Sequence, residues 1–164
     1  MPMRPEVAHA EVLKYESVAG DPTMDLYSLR IPGVGEGSGV VRMRGVVIPS
    51  LGYFIASPVR IGIGTRLLRT VVLEASGLGY TEVEGDIIHD ESLQKLEEFR
   101  RLSRVAQKSV EVPYADFCGL PLVKFLLSGG LEVTDMTVTF IPYPSKFDDH
   151  DIDVHYHAAI RTSA

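Results

Sequence analysis

The feature that most narrows the fold is a change of hydrophobic period and back again in the middle of the chain. Between two β-like runs, Leu67, Leu68, Val71, Val72 and Ala75 recur at spacings of three and four, while Arg66, Arg69 and Glu74 fall elsewhere. That is the stripe of a helix with one buried side. Gly77 stands where a left-handed C-terminal cap is needed. The strand-like YTEVEGDII, residues 80–88, follows at once. A strand, a helix and a strand in that order give the crossover length that a parallel pair requires, so at least two strands are predicted to run parallel.

The flanking segments surround this unit with antiparallel structure. EVLKYESVAG, MDLYSLRI and VVRMRGVVI read as three strands of a meander, joined through GDPT and through PGVGEGSG, whose glycines suit a turn or a mobile loop. Beyond residue 88, Asp90 is placed to cap a helix over ESLQKLEEFRRLSRVAQK, with Leu93, Leu96, Phe99, Leu102 and Val105 along one face. Its acids precede its arginines, as the helix dipole favours. The arginine run is most simply a solvated face, with phosphate or partner binding as the alternative. A short helix is expected from Pro121 to Ser128, stopped by Gly129 and Gly130. EVTDMTVTFIPY and DIDVHYHAAI both alternate and predict a closing hairpin with PYPSKFDDH as an exposed loop. With no repeat or linker, residues 1–164 read as one α+β domain: a mixed, mostly antiparallel sheet with helices on both faces and an inserted helix at about 90–110.

Composition sets the remaining bounds. The 164 residues carry 16 Lys+Arg against 22 Asp+Glu, a net charge of −6. With a pI of about 5.3 there is no overall basic surface for a phosphate backbone, which argues against a nucleic-acid partner. Cys118 is the only cysteine, so no internal disulfide is possible and a reducing compartment is expected. No apolar run approaches the roughly 18 residues of a membrane span. MPMRPEVAHAEV has no apolar core of a secretory signal. These observations predict a cytoplasmic protein without a membrane partner and leave homo-oligomerisation open.

The run with a chemical signature is IASPVRIGIGTRLL, residues 55–68. A strand ends, Gly62 and Gly64 allow close backbone approach, and the free amides of the following helix present the positive end of its dipole. Arg60, Arg66 and Arg69 are close enough in sequence to add charge-assisted contacts. The alternative is that the glycines serve only close packing of helix on strand. The run is not a Walker loop, since no Gly-Lys-Ser/Thr follows, and it lacks the third glycine of a dinucleotide fingerprint.

On Ile55, Pro58, Arg60, Gly62, Ile63, Gly64, Thr65, Leu67 and Leu68 the sequence resembles the GNAT superfamily of N-acetyltransferases. GLGYTEVEGDII looks like the end of that family's third helix and its fifth strand, and KFLLSGGLEV, residues 124–133, like its short helix and glycine turn. The resemblance spans about residues 38–160. It implies acetyl-CoA as cosubstrate, held by Ile55, Ser57, Arg60, Ile61, Gly62, Ile63, Gly64 and Thr65, and direct acetyl transfer to a primary amine. The acceptor would be a small-molecule amine or a basic peptide, which the acidic charge would attract. The chain also departs from the pattern. Leu126 stands where the family often has a catalytic Tyr, the helix at 91–108 is extra, and no helical pair precedes residue 38. These departures keep a second reading open, a non-catalytic structural or interaction protein on the same scaffold.

Three further groups could carry chemistry. Glu82, Glu84 and Asp86 share one strand face, with Glu84 central, and any could act as a general base if partly buried. His89 lies at the end of that strand, where sites of open α/β sheets gather, and Tyr114 is a candidate for the missing acid. On the last strand Asp151, Asp153, His155 and His157 share a face, with Asp148, Asp149 and His150 close by. His155 and His157 are candidate ligands for zinc, manganese or iron. The competing expectation there is the polar side of an edge strand.

Overall fold

The structure, a computed structural model, describes residues 10–59, 61–142 and 152–161. In chain order these form β1 (Leu13–Tyr15), β2 (Met24–Ile31), β3 (Gly35–Arg42), β4 (Ser50–Ser57), α1 (Ile63–Gly77), β5 (Glu82–Asp86), α2 (Asp90–Lys95), α3 (Glu97–Ala106), β6 (Ser109–Glu111), α4 (Tyr114–Phe117), α5 (Pro121–Ser128), β7 (Leu131–Phe140) and β8 (Ile152–Ile160). The strands make one sheet in the order β1-β2-β3-β4-β5-β8-β7-β6. β4 and β5 are parallel, as the crossover helix predicts, and every other pair is antiparallel. The sheet is therefore mixed and mostly antiparallel. None of the described helices is long and apolar enough to cross a membrane.

All the core residues of the sheet lie on one side of it. Tyr27 and Leu29 of β2, Val41 of β3, Leu51 of β4, Val83 of β5, Met136 and Val138 of β7, and Val154, Tyr156 and Ala158 of β8 belong to a single buried cluster with Leu67, Leu68, Val71 and Val72 of α1, Leu96, Phe117, and Leu126 of α5. The alternating residues on the other side, among them Ile55, Glu84, His155 and His157, are exposed or half-buried. The helices that contribute to this cluster pack against that buried side. Among the described residues no pair of α-helices precedes β3; those residues form β1, a 3-10 turn at Val18–Gly20 and β2.

Three local expectations change for physical reasons. Of the glycine-rich stretch expected as a turn or a mobile loop, residues 32–34 form the turn and the rest is strand β3, because its glycines are spacers. A Cβ on Gly37 would lie 2.6 Å from Ile63 Cγ2 and 2.9 Å from the Ile55 carbonyl oxygen, and one on Gly39 would lie 2.5 Å from the Phe54 ring. Only bare backbone lets α1 and β4 sit this close. The predicted helix over 91–108 breaks at Leu96, whose side chain is fully buried. Its cap is His89, which accepts from the Ser92 amide, and not Asp90. β8 is no edge strand, since it is paired on both sides by β5 and β7. The exposed loop expected at 143–150 lies outside the described residues.

A charged network fastens the first strands to α1. Asp25 is completely buried, accepts from Arg44 Nη2 at 2.7 Å and faces Lys14 Nζ at 3.5 Å. Lys14 and the Tyr27 hydroxyl both bond the Glu74 carboxylate of α1.

Candidate functional site

β4 and β5 are paired only at Ser50 with Glu84 and Leu51 with Gly85. Beyond those residues they diverge, although β4 continues six residues further, to Ser57. An irregularity begins at the same level. Three steps along β4, from Leu51 to Phe54, face two along β3, from Val41 to Gly39. One residue of β4 is therefore extra, a bulge at Gly52 and Tyr53 that breaks the ladder and re-aims backbone amides beside the gap.

A cleft of about 610 Å³ fills the opening. Leu51 through Ala56 of β4 form one wall, Asp86, Ile88 and His89 the other, and Lys124, Phe125, Leu126 and Ser128 of α5 close the helical side. Its lining is chiefly apolar, and the Phe54 and Phe125 rings meet at 6.3 Å between centroids. Phe54 and Ala56 point to the helical face and Ile55 to the bare one, so the cleft passes through the sheet.

One end of the cleft is the start of α1, at Gly62, Gly64 and Thr65. Gly62, with φ of 95°, takes the left-handed turn into the helix, a conformation costly for other residues. The first helical bond runs from the Arg66 amide to the Gly62 carbonyl, and no side chain caps the end. The amides of Ile63, Gly64 and Thr65 are left without helical acceptors, which makes this terminus attractive to an anion. Gly64 is small because a Cβ there would lie 3.3 Å from the Phe125 ring.

The sequence-predicted ligand residues divide among several places. Ile55, Gly62, Gly64 and Thr65 line the cleft. Ile61 and Ile63 are buried in the core, so only their backbones are available. Ser57 lines a separate hollow with residues 30–36, and Arg60 lies outside the described residues. Arg66 and Arg69 are not lining residues; Arg69 Nε instead bonds the Ser128 carbonyl at 3.1 Å. Lys124 is the cleft's cation among the described residues.

The three candidate catalytic residues are also separated. His89 lines the cleft, but its Nδ1 accepts from the Ser92 amide, which leaves the proton of the neutral ring on Nε2 and makes that atom a donor. Tyr114 is exposed, stacks edge-on against Phe117 and does not line the cleft. Glu84 lies on the bare face beside His155 and His157, its Oε2 at 3.4 and 3.5 Å from their Nε2 atoms. Asp151 and residues 148–150 lie outside the described residues.

Sequence reasoning did not single out Tyr156. Its ring crosses Gly85 on the neighbouring strand, where a Cβ would lie 2.5 Å from the hydroxyl oxygen, and it lines the cleft. Burial first, and then the Asp86 carboxylate, holds this phenol above its ordinary range, so it stays protonated. The available signal was Gly85 itself, since a glycine inside a strand marks a close approach.

No protein-family model and no curated protein matches the sequence. Solved structures do match. An acetyltransferase of Bacillus subtilis in complex with CoA superposes with a TM-score of 0.53 at 10% identity, covering 92% of this chain and 99% of its own. The ribosomal-protein-S18-alanine N-acetyltransferase of Escherichia coli gives 0.50 at 12% identity, covering 94% and 97%. The fold is GNAT-like. On this GNAT-like sheet the cleft lies at the parallel β4–β5 pair, where the strand order turns from the N-terminal meander to the C-terminal strands.

Proposed function

We propose that the protein is an acetyl-CoA-dependent N-acetyltransferase that transfers the acetyl group directly to a primary amine. The observation that carries this reading is the splay of β4 from β5, which opens an apolar passage from the free amides of α1 through the sheet. The pyrophosphate of the cosubstrate would lie on the amides of residues 63–65, with Lys124 adding positive charge, and its pantetheine arm would follow the apolar walls. Both acetyltransferases named above share the fold, and one of them was solved with CoA. The amine, drawn by an acidic surface to the bare face, attacks the thioester carbonyl carbon. A C–N bond forms, the C–S bond breaks, the amine proton passes to water and the thiolate leaves. An amide of the β4 bulge suits the developing oxyanion. The Tyr156 hydroxyl suits the departing thiolate; with its pKa raised, it acts by donating a hydrogen bond to the sulfur.

The test is calorimetry with acetyl-CoA on the wild type beside Gly64→Trp. A large side chain at residue 64 would project toward Phe125 and Ala56 and fill the cleft. Micromolar binding that is lost in the variant supports the reading. No heat and no thermal stabilisation at millimolar ligand would remove it. That second result would favour the interaction-protein reading, which the buried Leu126 at the family's Tyr position motivates.

A further inference from the structure

On the bare face of the sheet, two imidazoles and a carboxylate are arranged so that their lone pairs meet. His155 Nδ1 is 2.9 Å from Asp86 Oδ1, and His157 Nδ1 is 2.8 Å from Asp135 Oδ1. An ionised carboxylate can only accept, so each Nδ1 carries the proton and donates it. In the neutral rings both Nε2 atoms are then unprotonated, and both approach the same oxygen, Glu84 Oε2, at 3.4 and 3.5 Å. With both rings neutral, three acceptors converging on one point repel one another until a proton on Nε2 or a metal cation lies between them.

We propose that Glu84, His155 and His157 bind a divalent transition-metal ion, zinc foremost, with Asp86 and Asp135 orienting the two imidazoles. The three ligand atoms all lie within 4.8 Å of one another. Two donors bound to one zinc at about 2.0–2.2 Å stand roughly 3.5 Å apart, close to the separations from Glu84 to each histidine. Two nitrogens and one oxygen suit Zn²⁺, and a carboxylate on the far nitrogen of each ligating histidine fixes the tautomer and raises the basicity of the ligand. The backbone supports the arrangement. Glu84 pairs with His157 and Asp86 with His155 across β5 and β8, and Asp135 pairs with His157 across β7 and β8, so the cluster stands on three adjacent strands of the sheet interior. The ligating side chains are about one-third exposed, which leaves the ion's remaining positions open to water or to a donor atom of a bound molecule. This site does not rest on the acetyl-CoA reading.

The test is a calorimetric titration of chelator-treated full-length protein with ZnCl₂ at neutral pH, followed by optical spectra with Co²⁺. One ion per chain is expected at micromolar affinity or tighter, with visible Co²⁺ bands and a rise in Tm. His155→Ala and His157→Ala should each weaken binding by about 100-fold and abolish the bands. Asp86→Asn and Asp135→Asn should weaken it by about 10-fold or more while leaving the ion in place. Circular dichroism identifies any variant that does not fold, and Glu84→Gln and His157→Gln then carry the same comparison. Absence of heat up to about 1 mM zinc, or equal binding by a folded His155→Ala/His157→Ala double variant, would overturn the proposal.

Discussion

Gly37→Ala tests whether the glycines of β3 hold α1, and with it the cleft, in place. Gly37 has no positive φ, so alanine fits its backbone and only contacts decide the outcome. The added methyl would lie 2.6 Å from Ile63 Cγ2, 2.9 Å from the Ile55 carbonyl oxygen and 3.1 Å from Leu67 Cδ1. The first distance is about 1 Å short of ordinary carbon contact. Overpacking of this kind costs about 1–3 kcal/mol, and the reduced entropy of the unfolded chain returns about 0.4–1 kcal/mol. A net loss of about 1.5 kcal/mol lowers Tm by roughly 3–6 °C in a domain of this size. Relief requires Ile63, the first residue of α1, to move, which displaces the amides at residues 63–65. Acetyl-CoA affinity should therefore fall along with stability. The assay is a double-mutant cycle with Ile63→Ala, which removes the obstructing Cγ2. In that background the Gly37→Ala cost should shrink to about 0.5 kcal/mol, since only the Ile55 oxygen and the movable Leu67 Cδ1 still obstruct, giving a coupling of about 1 kcal/mol. Additive losses, or a Gly37→Ala protein with the wild-type Tm, would refute the reasoning.

Tyr156→Phe should leave acetyl-CoA affinity unchanged and lower kcat about 10- to 100-fold, the loss of one charge-assisted hydrogen bond of about 1.5–3 kcal/mol; a variant with wild-type kcat would take the hydroxyl out of the reaction. Asp25→Ala leaves the Arg44 and Lys14 cations without their buried carboxylate. Because both cations are partly exposed, the cost should lie near the low end for a broken buried pair, about 3 kcal/mol, or a Tm lower by about 6–12 °C; an unchanged melting curve would show that the network adds nothing.

The elements visible in the sequence are those whose period was set by one buried side. The α1 stripe of Leu67, Leu68, Val71, Val72 and Ala75 is buried as expected, and in β8 Ile152, Val154, Tyr156 and Ala158 are buried while Asp153 is exposed. The β3 glycines were misjudged because turn composition and close packing use the same residue; only the position of Ile63 in space distinguishes the two. The break at Leu96 was hidden because its apolar spacing continues that of Leu93 and Phe99. The cleft was legible only at its glycine end. Asp86, the Lys124–Phe125 pair and Tyr156 come from three separate segments, and no local pattern records that β4 and β5 part after two residue pairs.

The two candidate sites are joined by the way the sheet opens. A sheet with helices on one side would ordinarily isolate its bare face from anything bound beneath the helices. Here the gap between β4 and β5 connects them, with Phe54 and Ala56 on the helical side and Ile55 on the other. Asp86 stands at the crossing, since it lines the cleft and also bonds His155. An acyl group carried up the cleft would emerge beside the Glu84, His155 and His157 cluster, where no described helix covers the sheet. An ion there would hold Asp86 through His155, and a ligand pressing on Asp86 would in turn shift that histidine. Zinc and acetyl-CoA should therefore alter each other's affinity by one common factor, as linkage requires, and Asp86→Asn should reduce that factor toward one even where both ligands still bind.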